Sequence, residues 1–228
     1  MALARWKDLC PDAVRPADVV PFWAGVLRLA AETQDSGDVV LRGAQPEQTV
    51  WFNTVPGPKA VKNRVHLDLV LPTYAPLIEA GGRVLDDHHT DSYRWTVLSD
   101  PEGNELCVFP SGQGAPDALV VDSADPEGDA VWWADVLGAS AVEAPGGLRR
   151  WLADVPGLPW EVWKFVGVDD PKTVKNRWHW DVVSDDVDEL VRRGATLLRG
   201  PDVDIDWHVL SDPAGNEFCV FSPRGSGS

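Results

Sequence analysis

Two short stretches carry the side chains best suited to chemistry. His66-x-Asp68 follows Lys62-Asn63-Arg64, and the same letters return as His179-x-Asp181 after Lys175-Asn176-Arg177. Side chains on a strand alternate, so Arg64, His66 and Asp68 share one face of one strand, as do Arg177, His179 and Asp181 of another. An imidazole beside a carboxylate can act as general acid or base near neutral pH. The same pair can also serve as an internal hydrogen bond that fixes neighbouring strands. The basic runs Lys59, Lys62, Arg64 and Lys172, Lys175, Arg177 either clamp a substrate anion or pair with acidic groups of a neighbouring module, and Arg64 and Arg177 are retained as binding candidates. Cys107 and Cys219 close a second repeated motif, DPxGNExC, and are read as small apolar groups facing a pocket or the core. The turn itself needs no catalytic explanation, since Pro fixes φ and Gly and Asn accept the left-handed region.

These motifs sit on a chain that is written twice. PKAVKNRVHLDLV at 58–70 recurs as PKTVKNRWHWDVV at 171–183, and WTVLSDPEGNELCVF at 95–109 recurs as WHVLSDPAGNEFCVF at 207–221. The period of about 112 residues is the size of a compact domain rather than of a solenoid unit. The expected domains are 1–112 and 113–222, joined through the short Gly/Pro-rich segment 111–117, with a disordered tail at 223–228. Within the first half, 6–10, 39–41 and 49–55 read as strands and 16–30 as an amphipathic helix after Pro16. Residues 64–71 form a further strand, 74–80 a helix stopped by Gly81-Gly82, and 94–98 with 105–109 a hairpin. The pattern is βαβββ, repeated.

Of the 228 residues, 44% are hydrophobic and 25% charged, which fits a folded chain with a sizeable core. A formal charge of −16 argues against nucleic-acid and anionic-membrane partners. No apolar run is long enough for a bilayer span, and the first residues lack the layout of a signal peptide. Three cysteines without a CxxC pair fit neither a disulfide framework nor a structural zinc site, so the expected compartment is the reducing cytoplasm.

FWAxVL after a first strand, written WWAxVL in the second half, then KNRxHxDxV and DPxGNExC, in that order in both halves, resemble the glyoxalase-like domain of the vicinal oxygen chelate superfamily, tandem actinobacterial type. The resemblance covers about 6–110 and 118–222. It implies an α+β fold of two tandem glyoxalase/bleomycin-resistance-like domains, each of two βαβββ modules forming a curved eight-stranded sheet with a ligand cup. Single-domain relatives often dimerise to complete a sheet; a tandem chain can do so internally, and a homodimer stays open. Members include glyoxalases, epimerases, extradiol dioxygenases and metal-free proteins that sequester antibiotics.

Metal-binding members hold a divalent ion with His and Glu on the concave face. His66 and His179 match that histidine, but Cys107 and Cys219 stand where the glutamate would be. A metal would therefore rest on His66, Glu105 and Asp12, or on His179, Glu217 and Asp122. The expectation is no cofactor, with a divalent metal as the alternative.

Twelve tryptophans against one methionine supply rigid aromatic area. Trp178 and Trp180 face away from His179, and Trp23, Trp132 and Trp133 lie on helices, so all five are assigned to the core. Trp51, Trp95, Trp163 and Trp207 are candidates to line the cups, and Trp151 and Trp160 to stack on a ligand from a loop. His88-His89 are assigned to a loop of the first half. Two functions are carried forward. One is a lyase or isomerase for a carbonyl- or diol-bearing metabolite, aromatic or not, with His66, Asp68, His179 and Asp181 moving protons. The other is a metal-free, antibiotic-type binding protein that stacks its small-molecule ligand on tryptophan.

Overall fold

The computed structural model describes residues 2–91 and 93–223, so the expected tail at 223–228 lies outside the described residues apart from Pro223. Four βαβββ modules follow one another. The first has β1 (Arg5–Ala13), α1 (Pro16–Leu27), β2 (Ala30–Thr33), β3 (Val39–Arg42) and β4 (Val50–Thr54). The second has β5 (Val65–Leu71), α2 (Ala75–Glu79), β6 (Arg83–His89), β7 (Arg94–Ser99) and β8 (Glu105–Pro110). The third has β9 (Ala118–Ser123), α3 (Pro126–Leu137), β10 (Ser140–Glu143), β11 (Arg149–Ala153) and β12 (Val162–Gly167). The fourth has β13 (Trp178–Val183), α4 (Val187–Arg192), β14 (Thr196–Arg199), β15 (His208–Ser211) and β16 (Glu217–Phe221). Pro16 and Pro126 start α1 and α3 where a missing N–H costs nothing, and Asp125 caps α3 by accepting from the Gly128 N–H at 3.1 Å. Strands β2 and β6 are exposed along their whole length and carry no buried face, which is why alternation did not reveal them. His88 and His89, expected in a loop, lie on β6.

The described strands form two eight-stranded sheets, ordered β14-β15-β16-β13-β1-β4-β3-β2 and β10-β11-β12-β9-β5-β8-β7-β6. The number of sheets and their strand count are as expected, but their membership differs. Each sheet joins one module from each half of the chain, so neither half closes a sheet by itself. The joins are antiparallel: Cys10 pairs with His179 across β1 and β13, and Val120 with His66 across β9 and β5. The linker explains the choice. Segment 111–117 carries the chain from β8 past β5 to β9, a hop of about 10 Å that seven residues span easily.

One continuous apolar cluster fills the space between the convex sheet faces and the helices. Trp163 of one sheet meets Trp180 of the other edge-on at 4.8 Å, and Trp133 of α3 lies 5.1 Å from Trp163 and 5.3 Å from Trp180. The two helix tryptophans are pinned by polar contacts. Trp23 Nε1 donates to Asp100 Oδ2 at 2.9 Å, and Trp133 Nε1 to Asp212 Oδ2 at 3.1 Å. Asp100 and Asp212 open the two DPxGN turns, whose Gly103 and Gly215 take φ of +90° and +85°, a region that a side chain would strain. The turn motif is therefore structural, as expected, and it also anchors the helices. Trp178, Trp180, Trp23 and Trp133 are core, and Trp132 is partly buried against it.

Trp163 is a correction: it is fully buried in this core and lines no cup. The ladders pair Leu9 with Val50 where Leu119 pairs with Trp163, so Trp51 corresponds to Lys164 and not to Trp163. A slip of one residue moves a strand side chain to the opposite face.

Interleaved sheets make a prediction about the halves. Expressed alone, 1–112 and 113–223 should not be folded monomers, whereas mixed they should form a one-to-one complex with the circular dichroism of the whole chain. Sedimentation showing a folded monomer of either half would contradict the strand order described here.

Candidate functional site

Each sheet carries a polar concave face. On β5, Val65, Leu67 and Leu69 belong to the core, so alternation turns His66 and Asp68 the other way. The same argument places Cys107 and Phe109 of β8, Val120 and Asp122 of β9 and Lys164 of β12 on that face. This first cup thus unites the second and third modules. The second cup unites the fourth and first: His179 and Asp181 of β13, Cys219 and Phe221 of β16, and Asp8, Cys10 and Asp12 of β1.

In the first cup His66 and Asp68 are both buried, but His66 Nε2 lies 3.7 Å from Asp68 Oδ1, too far for a hydrogen bond. Asp68 is held instead by the Lys164 ammonium at 2.9 Å and by the Cys107 thiol. Lys164 is 6% exposed and lies between the rings of Trp151 and Phe109, at 5.0 and 5.4 Å from their centres. Phe109 stacks on Trp95 at 5.7 Å and Trp95 on His88 at 5.3 Å, giving one aromatic wall. His66 Nδ1 is buried without a partner among the described residues. Burial pushes the His66 pKa down and outweighs the pull of Asp68 and Asp122 in the other direction, so the imidazole is neutral at pH 7.

The second cup repeats the His–Asp–Cys set with different neighbours. His179 Nε2 is 4.0 Å from Asp181 Oδ1, and His179 Nδ1 and Asp181 Oδ1 are both buried without a hydrogen-bond partner among the described residues. Burial holds His179 down at about 3, with Lys175 adding to the effect. Burial likewise pushes Asp181 up to about 7, against the attraction of Lys7. Lys7 Nζ bonds Asp8, reaches Asp181 Oδ2 at 3.4 Å and lies over the Phe221 ring at 4.1 Å. Trp207 stacks on Phe221 at 5.2 Å. Burial and the neighbouring aspartate push the Cys107 and Cys219 thiols well above the ordinary range, which leaves both unreactive as free thiols.

Several expected site residues fall elsewhere. Glu105 accepts from Lys59 at 2.6 Å and from the Asn63 N–H at 3.0 Å, and Glu217 does the same with Lys172 and Asn176, so both glutamates serve the loops rather than the cups. Arg64 donates to the carbonyls of Asp170 and Asp122, and Arg177 to the Gly57 carbonyl and Glu102; each ties one half of the chain to the other instead of reaching into a cup. Asp12 was grouped with His66 and Asp122 with His179, but module exchange puts each in the opposite cup. There Asp12 bonds Lys175 at 2.5 Å and Asp122 bonds Lys62. Trp151 belongs to β11 in the first cup rather than to a loop, and Trp160 packs edge-on against Trp6 at 5.8 Å. Lys164 was missed. Its signal was a lysine alternating with Trp163 and Phe165 in an otherwise apolar strand, at the place where the repeat has Trp51.

The metal ligands that the family resemblance implied are thus not assembled. Among the described residues two other groups bring three donor atoms within 4.8 Å of one another: His66, Asp68 and Cys107, and Cys10, His179 and Asp181. The first does not fit an ion, because the Lys164 ammonium already occupies Asp68 and would repel a second cation. The second is also met by an ammonium, since Lys7 Nζ lies 3.4 Å from Asp181 Oδ2 and is shared with Asp8, while His179 Nδ1 and Asp181 Oδ1 keep no hydrogen-bond partner among the described residues.

The glyoxalase-like domain family matches the sequence twice, over residues 8–109 and 118–221. A comparison with curated proteins finds no match. The structure is similar to that of glyoxalase I from Zea mays, at 13% identity over 95% of this chain and 92% of the maize chain, with a TM-score of 0.64. It is also similar to the CppA protein from Streptococcus pneumoniae TIGR4, at 9% identity over 96% of this chain and 100% of the other, with a TM-score of 0.52. At these identities the likeness carries the fold alone. Among the described residues no helix is long and apolar enough to cross a membrane.

The depressed His66 pKa sets a pH dependence. Below the unfolded value of about 6.5, the unfolded chain takes a proton that buried His66 resists, so stability falls as pH drops from about 6.5 toward the folded pKa. Replacing His66 with Gln should remove that share. The drop in Tm between pH 6.5 and 5 is then expected to be smaller in H66Q than in the parent, and equal drops by calorimetry would show that His66 is not buried neutral.

Proposed function

Because this chain belongs to the glyoxalase-like domain family of the vicinal oxygen chelate superfamily, matched over both of its halves, we propose that it is a lyase or isomerase for a small carbonyl- or diol-bearing metabolite and that it works in the first cup. The observation that carries this reading is the buried Lys164 ammonium beside a neutral His66, with an aromatic wall next to them. Charge develops on a carbonyl oxygen when the neighbouring carbon loses a proton. A fixed ammonium in a poorly solvated cup stabilises that oxyanion without any reorganisation.

The roles follow from position. Lys164, oriented by Asp68, donates to the substrate oxygen. The neutral His66 imidazole accepts the proton from the adjacent carbon and returns it at the neighbouring carbon, or to a leaving hydroxyl in a lyase. Trp95, Phe109 and Trp151 supply an apolar rim against which a planar or aromatic substituent packs. No bound metal is needed for these steps. Three free thiols accord with a cytoplasmic location.

The His88–Trp95–Phe109 stack is also what a sequestering protein would use, and one experiment separates the two readings. Aromatic α-hydroxyketones and 1,2-diketones with an enolisable carbon are incubated with the protein in D2O, and exchange at the carbon beside the carbonyl is followed by NMR. The expected result is exchange that H66A slows by about 10²–10⁴-fold and K164M by about 10²–10³-fold. Tight tryptophan quenching with no exchange by the parent would overturn the enzyme reading in favour of binding.

A further inference from the structure

The two halves of the chain repeat one contact, with a member exchanged. Asp12 N–H donates to the Arg177 carbonyl and Asp122 N–H to the Arg64 carbonyl, each at 2.7 Å, so residues 12–15 correspond to 122–125 and Arg177 to Arg64. In the first contact Glu102, on its DPxGN turn, accepts from the Val14 and Arg15 N–H groups at 2.9 and 2.8 Å and from Arg177 at 3.2 Å. The matching turn carries Ala214 in that position. Arg64 donates to the Asp170 carbonyl as Arg177 does to that of Gly57, but its other arm turns to the Asp122 carbonyl, and among the described residues it makes no ion pair. A cavity of about 390 Å³ lies there, with Arg64, Ala124, Asp125, Asp129, Trp132 and Ala214 in its wall.

Two further exchanges accompany the missing glutamate. Asp129 of α3 stands where α1 has Val19, and Ser123 stands where β1 has Ala13. Asp129 is buried, and its Oδ2 accepts from the Ser123 hydroxyl at 2.5 Å, which leaves Oδ1 for a ligand. Burial pushes Asp129 up to about 6 against the pull of Ser123; Asp212 and Asp125 add to the rise and Arg64 opposes it. The cavity thus sets a guanidinium without a carboxylate beside a carboxylate without a cation.

We propose that this cavity binds a free α-amino acid, with the ligand carboxylate where Glu102 places its own in the other half and the ligand ammonium on Asp129. The Ala124 N–H, counterpart of that of Val14, and the Arg64 guanidinium receive the carboxylate beside the N-terminus of α3. A simple anion meets repulsion from Asp129 and a simple cation meets it from Arg64, so a molecule carrying both charges a few ångströms apart is selected. The other charged groups of the wall are engaged: Lys172 with Glu217, Asp122 with Lys62, and the Asp125 carboxylate with the Gly128 N–H. Trp132, whose indole N–H already donates to the Arg193 carbonyl at 2.8 Å, and Pro213 offer apolar surface to the ligand's side chain. The volume falls within the usual range of small-molecule pockets. None of these residues takes part in the chemistry proposed for the first cup, and either proposal can fail without the other.

The test uses the full chain and the proteinogenic amino acids, each at about 10 mM, with propionate and ethylamine as single-charge controls. The expected result is a rise in Tm with at least one amino acid, one equivalent of it bound by calorimetry, and no comparable effect of either control. Ala214→Glu, which installs the residue of the other turn, should weaken that binding by about tenfold or more, as should Asp129→Asn. No binding of any amino acid, propionate binding as tightly as the amino acid, or affinity unchanged in Ala214→Glu overturns the proposal. Circular dichroism checks that Ala214→Glu folds; if it does not, Asp129→Asn supplies the same arm, and unchanged affinity there is again the overturning result.

Discussion

The first strand of each βαβββ module leaves one edge of N–H and C=O groups open, and closing that edge organises the molecule. An open ladder is both unsatisfied and a template for unwanted pairing. Here β1 is covered by β13 and β5 by β9, each antiparallel. A short connection between the second and third modules brings β9 to β5, and the first and fourth modules are then left to meet each other. The composition of both cups follows from this pairing, because the residues facing His66 and His179 are whatever the partner strand carries.

Packing reinforces the arrangement from the other side. The convex faces are too apolar to be left in water, and they meet through Trp163, Trp180 and Trp133 in one core. The indole N–H groups of Trp23 and Trp133 find the carboxylates of the DPxGN turns, while Asn63 and Asn176 donate to Asn104 and Asn216 of the same turns, each at 3.0 Å. The two repeated motifs thus hold each other. Most of their polar residues are structural, and only the inward-facing His and Asp are left free for chemistry. The concave faces pay for this rigidity by burying charge.

How the two cups manage that charge is where they diverge. The carboxylate of Asp68 is neutralised by an ammonium from β12, and that of Asp181 is only partly met by Lys7, which is shared with Asp8. Identical strand motifs thereby acquire different surroundings, one aspartate held by a lysine of its own and the other sharing its lysine with Asp8. Duplication supplies two copies of a scaffold; the residue one strand over sets what each copy can bind.

The repeat, the βαβββ order, the α+β class, the inward face of His66, Asp68, His179 and Asp181, and the core placement of Trp178 and Trp180 were legible in the sequence, because period-two alternation and turn chemistry act over a few neighbouring residues. Which module pairs with which was not, since edge pairing is decided between residues as far apart in the chain as Arg5 and Val183. Trp163 and Lys164 exchanged roles for the same reason: only the ladder counts a one-residue change in the repeat period. The exposed strands β2 and β6 wrote no pattern at all, having no buried face. The sequence by itself determined what each strand could present. The tertiary structure alone decided what it would face, because side chains from strands distant in the chain come within a few ångströms only when the sheet is closed.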